Sequence, residues 1–194
     1  DMAYEFLGRI VGEVDRLAAL VDDLLDLARL ESGRVHLNQE ALDPRDLLTS
    51  AAERLRPQIE RARLNLIIDI PAGLPRVFAD RSRIEQVVLN LIHNAIKFTP
   101  PDGTITVTAE RDGEMVKARV IDTGSGIPEQ DLPRLFERFY KGDKARRSDG
   151  TGLGLAITKH IIQTHDGSIS AESVLGEGST FTFTLPIAKS LSRR

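Results

Sequence analysis

The sequence contains no cysteine among its 194 residues. A disulfide framework, a thiol nucleophile and a thiolate metal site are therefore all excluded. Lysine and arginine together number 26, and aspartate and glutamate number 29, which gives a formal net charge of -3. Because nucleic-acid-binding proteins usually carry a basic excess, we expect no nucleic-acid partner.

Long apolar runs are also missing from the sequence. No run reaches the roughly 18 residues that a membrane-spanning helix requires, and no signal-peptide pattern is present. We therefore expect no membrane contact by this segment and a cytoplasmic location, within a parent protein that could itself be membrane-anchored. Because the chain opens at Asp1 directly into a helical pattern, we interpret it as a piece of a longer protein.

The N-terminal part of the chain carries a heptad-like apolar stripe. The stripe consists of Leu7, Val14, Val21 and Ala28, of Ile10, Leu17 and Leu24 three residues behind them, and of Val11, Ala18 and Leu25. This width predicts one long member of a helix bundle, whose partner helix is absent from the chain, supplied by a second chain, or both. The alternative is a surface helix packed on the domain core. We predict a boundary between residues 1–34, which form this helix, and a second domain over residues 35–194.

The second domain mixes strands with helices. The predicted elements are an edge strand over 35–42, a helix from Asp43-Pro44 to about Arg63, a strand over 64–70, a turn over 71–75, a helix capped by Asp80, an antiparallel hairpin of 105–110 with 116–121, a short helix over 128–139, a helix over 153–164, and a strand pair of 168–173 with 180–186. Mainly antiparallel pairing with interspersed helices predicts an α+β fold. We expect a two-layer sandwich with the helices on one face of a mixed sheet.

Three polar residues share one face of the helix that follows Asp80. Asn90, Asn94 and Lys97 are spaced by four and three positions, and the rest of the helix is largely apolar. Carboxamide oxygens are hard ligands that suit Mg²⁺ when phosphates supply most of its coordination, and an ammonium group pairs with phosphate. Ordinary solvated side chains remain an equal alternative for this helix taken alone.

Asp122 follows an apolar strand and opens the segment Asp122–Ile127. A carboxylate at this point can accept a hydrogen bond from the exocyclic amine of adenine, whereas the carbonyl oxygen of guanine would face it acceptor to acceptor. Gly124 and Gly126 would allow the backbone to turn sharply and to approach a flat base. Because turns use the same residue types, an ordinary turn is the alternative interpretation.

A glycine-rich segment, Gly150–Leu155, leads directly into a predicted helix. Glycines before a helix start expose N–H groups where the helix dipole favours anions, which indicates a phosphate cradle. The spacing matches neither of the two common glycine-rich nucleotide loops, and a flexible linker is the alternative. The preceding basic stretch over 141–149 is interpreted as a lid that closes over phosphates, or else as a solvated charge run.

These segments resemble the bacterial sensor histidine kinases of two-component systems. In particular, they resemble the ATP-binding catalytic domain of the gyrase/Hsp90/histidine kinase/MutL superfamily, which has a Bergerat-type fold. Five motifs occur in the family's order: Asn90–Phe98 as the N box, Asp122–Ile127 as the G1 box, Leu135–Tyr140 as the F box, Gly150–Leu155 as the G2 box and Gly176–Phe181 as the G3 box. The resemblance covers residues 35–187. Residues 3–33 are similar to the second helix of the family's dimerisation and phosphotransfer hairpin.

The resemblance implies a role for each matching residue in binding ATP and Mg²⁺. Asn94 would be the Mg²⁺ ligand and Asp122 the partner of the adenine amine. Asn90, Lys97 and Lys141 would be the catalytic residues beside the phosphates. The remaining nucleotide-binding positions would be Phe98, Gly124, Gly126, Ile127, Tyr140, Gly150, Thr151, Gly152, Leu153, Gly154, Leu155 and Thr180.

The resemblance further implies that the γ-phosphoryl group of ATP passes to a histidine and then to the receiver domain of a response regulator. The parent protein would be a homodimer joined through its helix bundle. The family's acceptor motif, His-Glu/Asp-x-x-x-Pro, does not occur in this chain, so the acceptor histidine would lie outside it. His36, His93, His160 and His165 are interpreted as structural or solvated. By the resemblance, His165 matches the family's structural His-Gly-Gly turn, which is altered here to His165-Asp166-Gly167. The alternatives are a superfamily ATPase, a Ser/Thr kinase, or a non-catalytic nucleotide-sensing or dimerisation module.

Overall fold

The structure is a computed structural model that describes residues 14, 17, 18, 21, 24, 25, 37–142 and 151–189. The chain divides into two compact units. The smaller unit comprises Asp1–Val35 and Arg134–Ile157, and the larger unit comprises His36–Pro133 and Thr158–Arg194. No helix among the described residues is both long and apolar enough to cross a bilayer.

Six positions of the predicted N-terminal helix are described. All six are helical and solvent-exposed, and they are Val14, Leu17, Ala18, Val21, Leu24 and Leu25. Val14 and Leu17 expose 57% and 56% of their surface, although both belong to the apolar stripe. The rest of the predicted helix lies outside the described residues, and the predicted boundary at residue 34 stays a prediction.

The other helices and strands lie between residues 39 and 186. In chain order they are β1 (Gln39–Leu42), α1 (Pro44–Arg54), α2 (Arg56–Arg61), β2 (Asn65–Asp69), β3 (Val77–Asp80), α3 (Arg81–Phe98), β4 (Thr104–Asp112), β5 (Met115–Asp122), a 3₁₀ helix (Glu129–Arg134), α4 (Gly154–Thr164), β6 (Ile169–Val174) and β7 (Gly178–Pro186).

The larger unit contains a five-stranded sheet in the order β2-β4-β5-β7-β6. Only β2 and β4 pair in parallel, and the other neighbours are antiparallel. Along β5 the buried residues alternate with half-buried ones, so Val116, Ala118 and Val120 face the core. The mixed, mainly antiparallel sheet with packed helices confirms the predicted α+β sandwich.

The helix α3 begins and packs as the sequence predicts. The Asp80 carboxylate accepts a hydrogen bond from Arg83 N at 3.2 Å and so caps the first turn. The predicted apolar face is buried completely or nearly so, and it consists of Ile84, Val87, Val88, Leu91, Ile92 and Ala95. The helix ends at Phe98, and its C-cap residue Thr99 is followed by the Pro100-Pro101 pair. The position of its polar face is therefore fixed by the burial of the opposite face.

Two predicted helices are wrong in length, and one strand was missed. The single helix expected from Pro44 to about Arg63 is divided into α1 and α2 at Leu55. Pro57 causes the division, because it has no N–H for the preceding turn and its ring crowds the carbonyl four residues back. The short helix predicted over 128–139 is only a 3₁₀ helix that contains Pro133. The missed strand, β3, pairs with β1 in a separate two-stranded sheet.

His165 joins two elements of the larger unit. Its side chain is fully buried, and its Nε2 accepts a hydrogen bond from Asp80 N at 3.0 Å. Because Nε2 must accept, the ring proton lies on Nδ1, which donates to Ile161 O at 2.7 Å. The imidazole thus ties the start of α3 to α4 in a single tautomer. This geometry agrees with the structural role that the sequence suggests for His165.

Replacement of His165 by alanine should destabilise the larger unit by about 3 kcal/mol, because a cavity forms and the buried N–H of Asp80 loses its acceptor. His93→Ala is the matched control, since His93 is exposed, and it should change the free energy of unfolding by less than about 0.5 kcal/mol. Urea unfolding of both variants tests the difference. Equal stability of the two variants would contradict the role of His165.

Candidate functional site

The three polar residues predicted on α3 lie on one face of a continuous helix. Asn90 Nδ2 lies 3.5 Å from Oγ1 of Thr158, which is fully buried. This contact holds the Asn90 carboxamide near α4. Asn94 is half-buried and Lys97 is exposed, with Lys97 Nζ 5.4 Å from the centre of the Phe98 ring. That distance is within the range of a cation–π interaction.

Asp122 ends β5 and exposes only 7% of its surface. Its Oδ1 accepts a hydrogen bond from Gly124 N at 2.8 Å, and the backbone N–H of Ser179 also donates to the carboxylate. Burial raises the pKa of Asp122 above its ordinary value, while these two hydrogen bonds oppose the rise. A carboxylate has about four lone-pair sites, so two N–H donors leave acceptor capacity for a ligand amine.

The loop after Asp122 is held tightly against the end of α3. Ser125 N donates to Phe98 O at 3.0 Å, which links the loop to the helix that carries Asn94. A Cβ on Gly124 would lie 2.6 Å from both Phe98 O and Asp122 Oδ1. Glycine is therefore required here by the close approach of the loop to its neighbours. The G1 segment and the C-terminal end of the N-box segment are thus adjacent within the larger unit.

Gly126 packs against the turn between β6 and β7. It has a φ of +64°, and a Cβ at this position would collide with the carbonyl oxygen of Val174. The neighbouring residue, Ile127, donates its N–H to Ser173 Oγ at 2.8 Å. Both glycines and Ile127, which the sequence nominates as nucleotide-binding positions, therefore belong to one loop with fixed contacts on either side.

The structure does not bring Thr180 together with Asp122. In the register of β5 and β7, Asp122 is opposite Ser179, whereas Thr180 is opposite Ile121. Because side chains alternate between the two faces of a sheet, Thr180 lies on the face opposite to that of Asp122. The role of Thr180 in nucleotide binding stays a prediction, and Ser179 is a neighbour of Asp122 that was not predicted from the sequence.

The F-box segment, residues 135–140, lies in the smaller unit. Phe139 has a φ of 60°, and its N–H donates to Gly152 O at 3.0 Å. Gly152 has a φ of +74°, and a Cβ there would lie 2.9 Å from the carbonyl carbon of Phe139. The guanidinium of Arg134 lies 4.4 Å from the centre of the Tyr140 ring. Gly152 thus contacts the backbone of Phe139, the residue next to Tyr140, and both Gly152 and Tyr140 are predicted site residues.

A cleft with a volume of about 340 Å³ lies beside the F-box segment. It is lined by Arg134, Glu137, Arg138, Phe139, Tyr140 and Lys141. Three of these side chains are cationic, and the carboxylate of Glu137 forms an ion pair with Arg134 at 3.0 Å. The balance of charge favours an anionic ligand. Of the predicted lid over 141–149, only Lys141 and Gly142 belong to the described residues.

The glycine-rich segment enters α4 as predicted, within the smaller unit. Thr151 Oγ1 accepts a hydrogen bond from Leu153 N at 3.2 Å, immediately before α4 begins at Gly154. The first N–H groups of any α-helix lack partners within the helix and attract anions. Leu153 is fully buried and Leu155 is half-buried, so these two side chains anchor the helix start. Gly150 lies outside the described residues.

The possible metal ligands suit a magnesium ion whose coordination comes mainly from phosphate oxygens and water. Among the described residues, no group of three or more histidine or acidic side chains could form a metal cage. Mg²⁺ keeps several waters and takes few protein ligands when phosphates are present. The carboxamide of Asn94, on the polar face of α3, is a donor of the required type. The residues present therefore fit Mg²⁺ bound together with a nucleotide.

Two of the three remaining histidines belong to the described residues. His93 is exposed and His160 is half-buried on α4, while His36 lies outside the described residues. Three residues that contact predicted site residues were not predicted from the sequence, namely Thr158, Ser173 and Ser179. Their signal is weak, because a serine or threonine on a strand or helix is common. Only the pairing register and the packing of α4 bring these hydroxyl groups to the site.

Residues 79–189 match the sequence profile of the family described as histidine kinase-, DNA gyrase B-, and HSP90-like ATPase. The chain is 44% identical over 180 residues to the Non-motile and phage-resistance protein of Caulobacter vibrioides. This alignment covers 90% of the chain and 21% of that protein. The chain is 37% identical over 190 residues to the Sensor histidine kinase WalK of Bacillus subtilis, an alignment that covers 96% of this chain and 31% of that protein. The chain spans between 21% and 49% of the length of the curated relatives it matches.

Similar folds are also found among solved structures. Full-length ShkA in complex with AMPPNP matches with a TM-score of 0.83 and 32% identity, over 96% of this chain and 39% of that one. Histidine kinase ThkA in complex with the response regulator protein TrrA matches with a TM-score of 0.76 and 27% identity, over 94% of this chain and 51% of that one. The matching profile covers more than half of the chain. The protein therefore belongs to the histidine kinase-, DNA gyrase B- and HSP90-like ATPase family, among the ATP-binding domains of sensor histidine kinases.

Proposed function

We propose that this chain binds Mg-ATP and transfers the γ-phosphoryl group to a histidine on a phosphotransfer hairpin outside the chain. The observation that carries the proposal is the buried carboxylate of Asp122, which retains acceptor capacity beside the end of α3. The exocyclic amine of adenine is the donor that suits this acceptor. The complex of the similar protein ShkA with AMPPNP supports an adenine nucleotide as the ligand.

The residues of α3 would act on the phosphate end of the nucleotide. Asn94 would hold the Mg²⁺, which neutralises charge on the phosphates, and Lys97 would contact the phosphate oxygens directly. Asn90 would orient the reacting group, and its carboxamide is held in place by Thr158. An amide is a far weaker base than a carboxylate, so we expect slow hydrolysis of ATP and a preference for a delivered nucleophile. Positioning and charge neutralisation are most of what phosphoryl transfer requires.

Residues of the smaller unit would contribute further contacts to the phosphates. We propose this role for Lys141, for the N–H groups at the start of α4 and for Gly152 and Gly154. The cationic surface beside Tyr140 and the helix start support the proposal, because both favour an anion. Tyr140 and Phe98 would each contribute an apolar contact to the nucleotide.

The partners of the chain follow from the same proposal. The phosphoryl group would pass from the histidine to an aspartate of a response regulator, a kind of partner that the complex of ThkA with TrrA supports. The exposed apolar side chains Val14, Leu17 and Leu24 support a helix bundle with the hairpin and with a second subunit. We propose that residues 1–34 form the second hairpin helix and residues 35–194 the catalytic domain.

The chain alone should form no phosphohistidine, because its own histidines have other roles or lie in other contexts. Incubation with Mg-ATP and a separately expressed acceptor hairpin should phosphorylate the hairpin, and the acid-labile product can be measured by mass spectrometry. A hairpin with its acceptor histidine replaced by glutamine is the matched control. Release of inorganic phosphate without transfer would instead support a superfamily ATPase. Nucleotide binding with neither reaction would support a non-catalytic module.

A further inference from the structure

The hydroxyl of Ser173 is surrounded by three hydrogen-bonding partners. Ser173 lies on β6, and its Oγ accepts from Ile127 N at 2.8 Å. The same oxygen donates to Gly178 O at 2.6 Å and lies 3.1 Å from Ser179 Oγ. Ser173 lies outside the five sequence motifs, and the proposed phosphoryl transfer does not use its hydroxyl.

The direction of each hydrogen bond follows from the number of available protons. A serine hydroxyl has one proton and two acceptor sites. The carbonyl of Gly178 can only accept, so the proton of Ser173 goes to Gly178, and the hydroxyl of Ser179 must donate to Ser173. The Ser173 oxygen therefore donates once and accepts twice, which uses its entire hydrogen-bonding capacity.

These bonds join the two segments that hold the carboxylate of Asp122. The first segment is the loop Gly124–Ile127, whose Gly124 N–H donates to Asp122. The second is the start of β7, where the backbone N–H of Ser179 donates to the same carboxylate. Gly178 is pressed against this carboxylate-bearing residue, because a Cβ on Gly178 would collide with the carbonyl oxygen of Asp122. The single hydroxyl of Ser173 thus contacts both segments.

We propose that Ser173 is a positioning residue that fixes the direction of the Asp122 carboxylate and thereby sets the preference for adenine over bases with a carbonyl at the same position. The assignment rests on the proposed function, because it requires that Asp122 contacts the base. Loss of the Ser173 hydroxyl would release Ile127 N and Gly178 O, so both donors to the carboxylate could shift. A carboxylate held less firmly distinguishes an amine from a carbonyl less well.

The test compares the affinities of the whole chain for Mg-ATP and Mg-ITP, in which a carbonyl replaces the adenine amine. Ser173→Ala should weaken ATP binding by about 10-fold and ITP binding by less than about 2-fold. Ser173→Thr keeps the hydroxyl in a strand, where β-branched residues fit well, and should restore the ratio of the two affinities. Ser170→Ala is the matched control, because Ser170 is an exposed serine of the same strand.

The ratio of the two affinities is the decisive readout. A partly unfolded variant loses apparent affinity for both nucleotides equally, so its ratio is unaffected by stability. The assignment would be overturned if Ser173→Ala left the ratio unchanged, or if Ser173→Thr lowered the ratio as much as Ser173→Ala does. Either result would leave the proposed function intact. If the unaltered chain binds neither nucleotide, or if Asp122→Ala has no effect, the proposed function fails and the assignment fails with it.

Discussion

Asp122→Ala should lower the affinity for Mg-ATP by about 100-fold, which corresponds to about 3 kcal/mol for a lost hydrogen bond to a charged group in a buried site. The carboxylate is buried, and it already accepts hydrogen bonds from Gly124 N and from the N–H of Ser179. Its remaining acceptor capacity is the feature that would select an amine-bearing base. Isothermal titration calorimetry with Mg-ATP measures the change directly.

The controls for this substitution separate recognition from folding. Asp69→Ala removes an exposed carboxylate at the end of another strand, β2, and should leave the affinity unchanged. Asp122→Asn preserves the shape of the side chain, removes the charge and replaces one acceptor by a donor, so it should also weaken binding. Circular dichroism establishes whether each variant is folded. An affinity for Asp122→Ala within about twofold of the unaltered chain would show that the base binds elsewhere.

Gly126→Ala should destabilise the larger unit by about 4 kcal/mol, from backbone strain and a steric clash together. Gly126 has a φ of +64°, a conformation that disfavours any Cβ, and its Cβ would collide with the carbonyl oxygen of Val174. Because the collision is with backbone, no side chain can rotate to relieve it. Urea unfolding followed by circular dichroism gives the free energy of unfolding.

Gly113→Ala provides a closely matched control for Gly126→Ala. Gly113 lies between β4 and β5 with a φ of +61°, and a Cβ there would have no atom within 4 Å. The two glycines therefore share the same backbone strain, and only Gly126 adds the collision. We expect about 1 kcal/mol of destabilisation for Gly113→Ala. Equal losses in both variants would show that the loop does not pack as closely against the β6–β7 turn as described.

Elements with strong local signals could be predicted from the sequence. The cap at Asp80 and the apolar period of α3 are encoded within one helix, and the alternation of β4 and β5 around Gly113 is encoded within one hairpin. β3 could not be predicted in this way, because it has four residues and its partner β1 is distant in sequence. The division between α1 and α2 did have a local signal, since Pro57 lies within the predicted helix.

The candidate site shows the same limit at the level of single side chains. The motifs nominated Thr180, but the antiparallel register places Ser179 opposite Asp122. A shift of one residue exchanges the two faces of a strand, and the register depends on pairing over the whole sheet. The contact between Asn90 and Thr158 depends likewise on tertiary packing that joins distant parts of the chain. Candidate site residues could therefore be predicted where a local motif contains them. The side chains that contact them from distant parts of the chain could not.

The hydrogen bond from Ser125 N to Phe98 O has a thermodynamic consequence for the proposed ligand. It connects the loop that would meet the base to the helix that would meet the metal, so a displacement of one upon binding would act on the other. Under such coupling, the factor by which the base alters the affinity for Mg²⁺ equals the factor by which Mg²⁺ alters the affinity for the base. Base and ion would then be recognised as one cooperative pair rather than as two independent ligands.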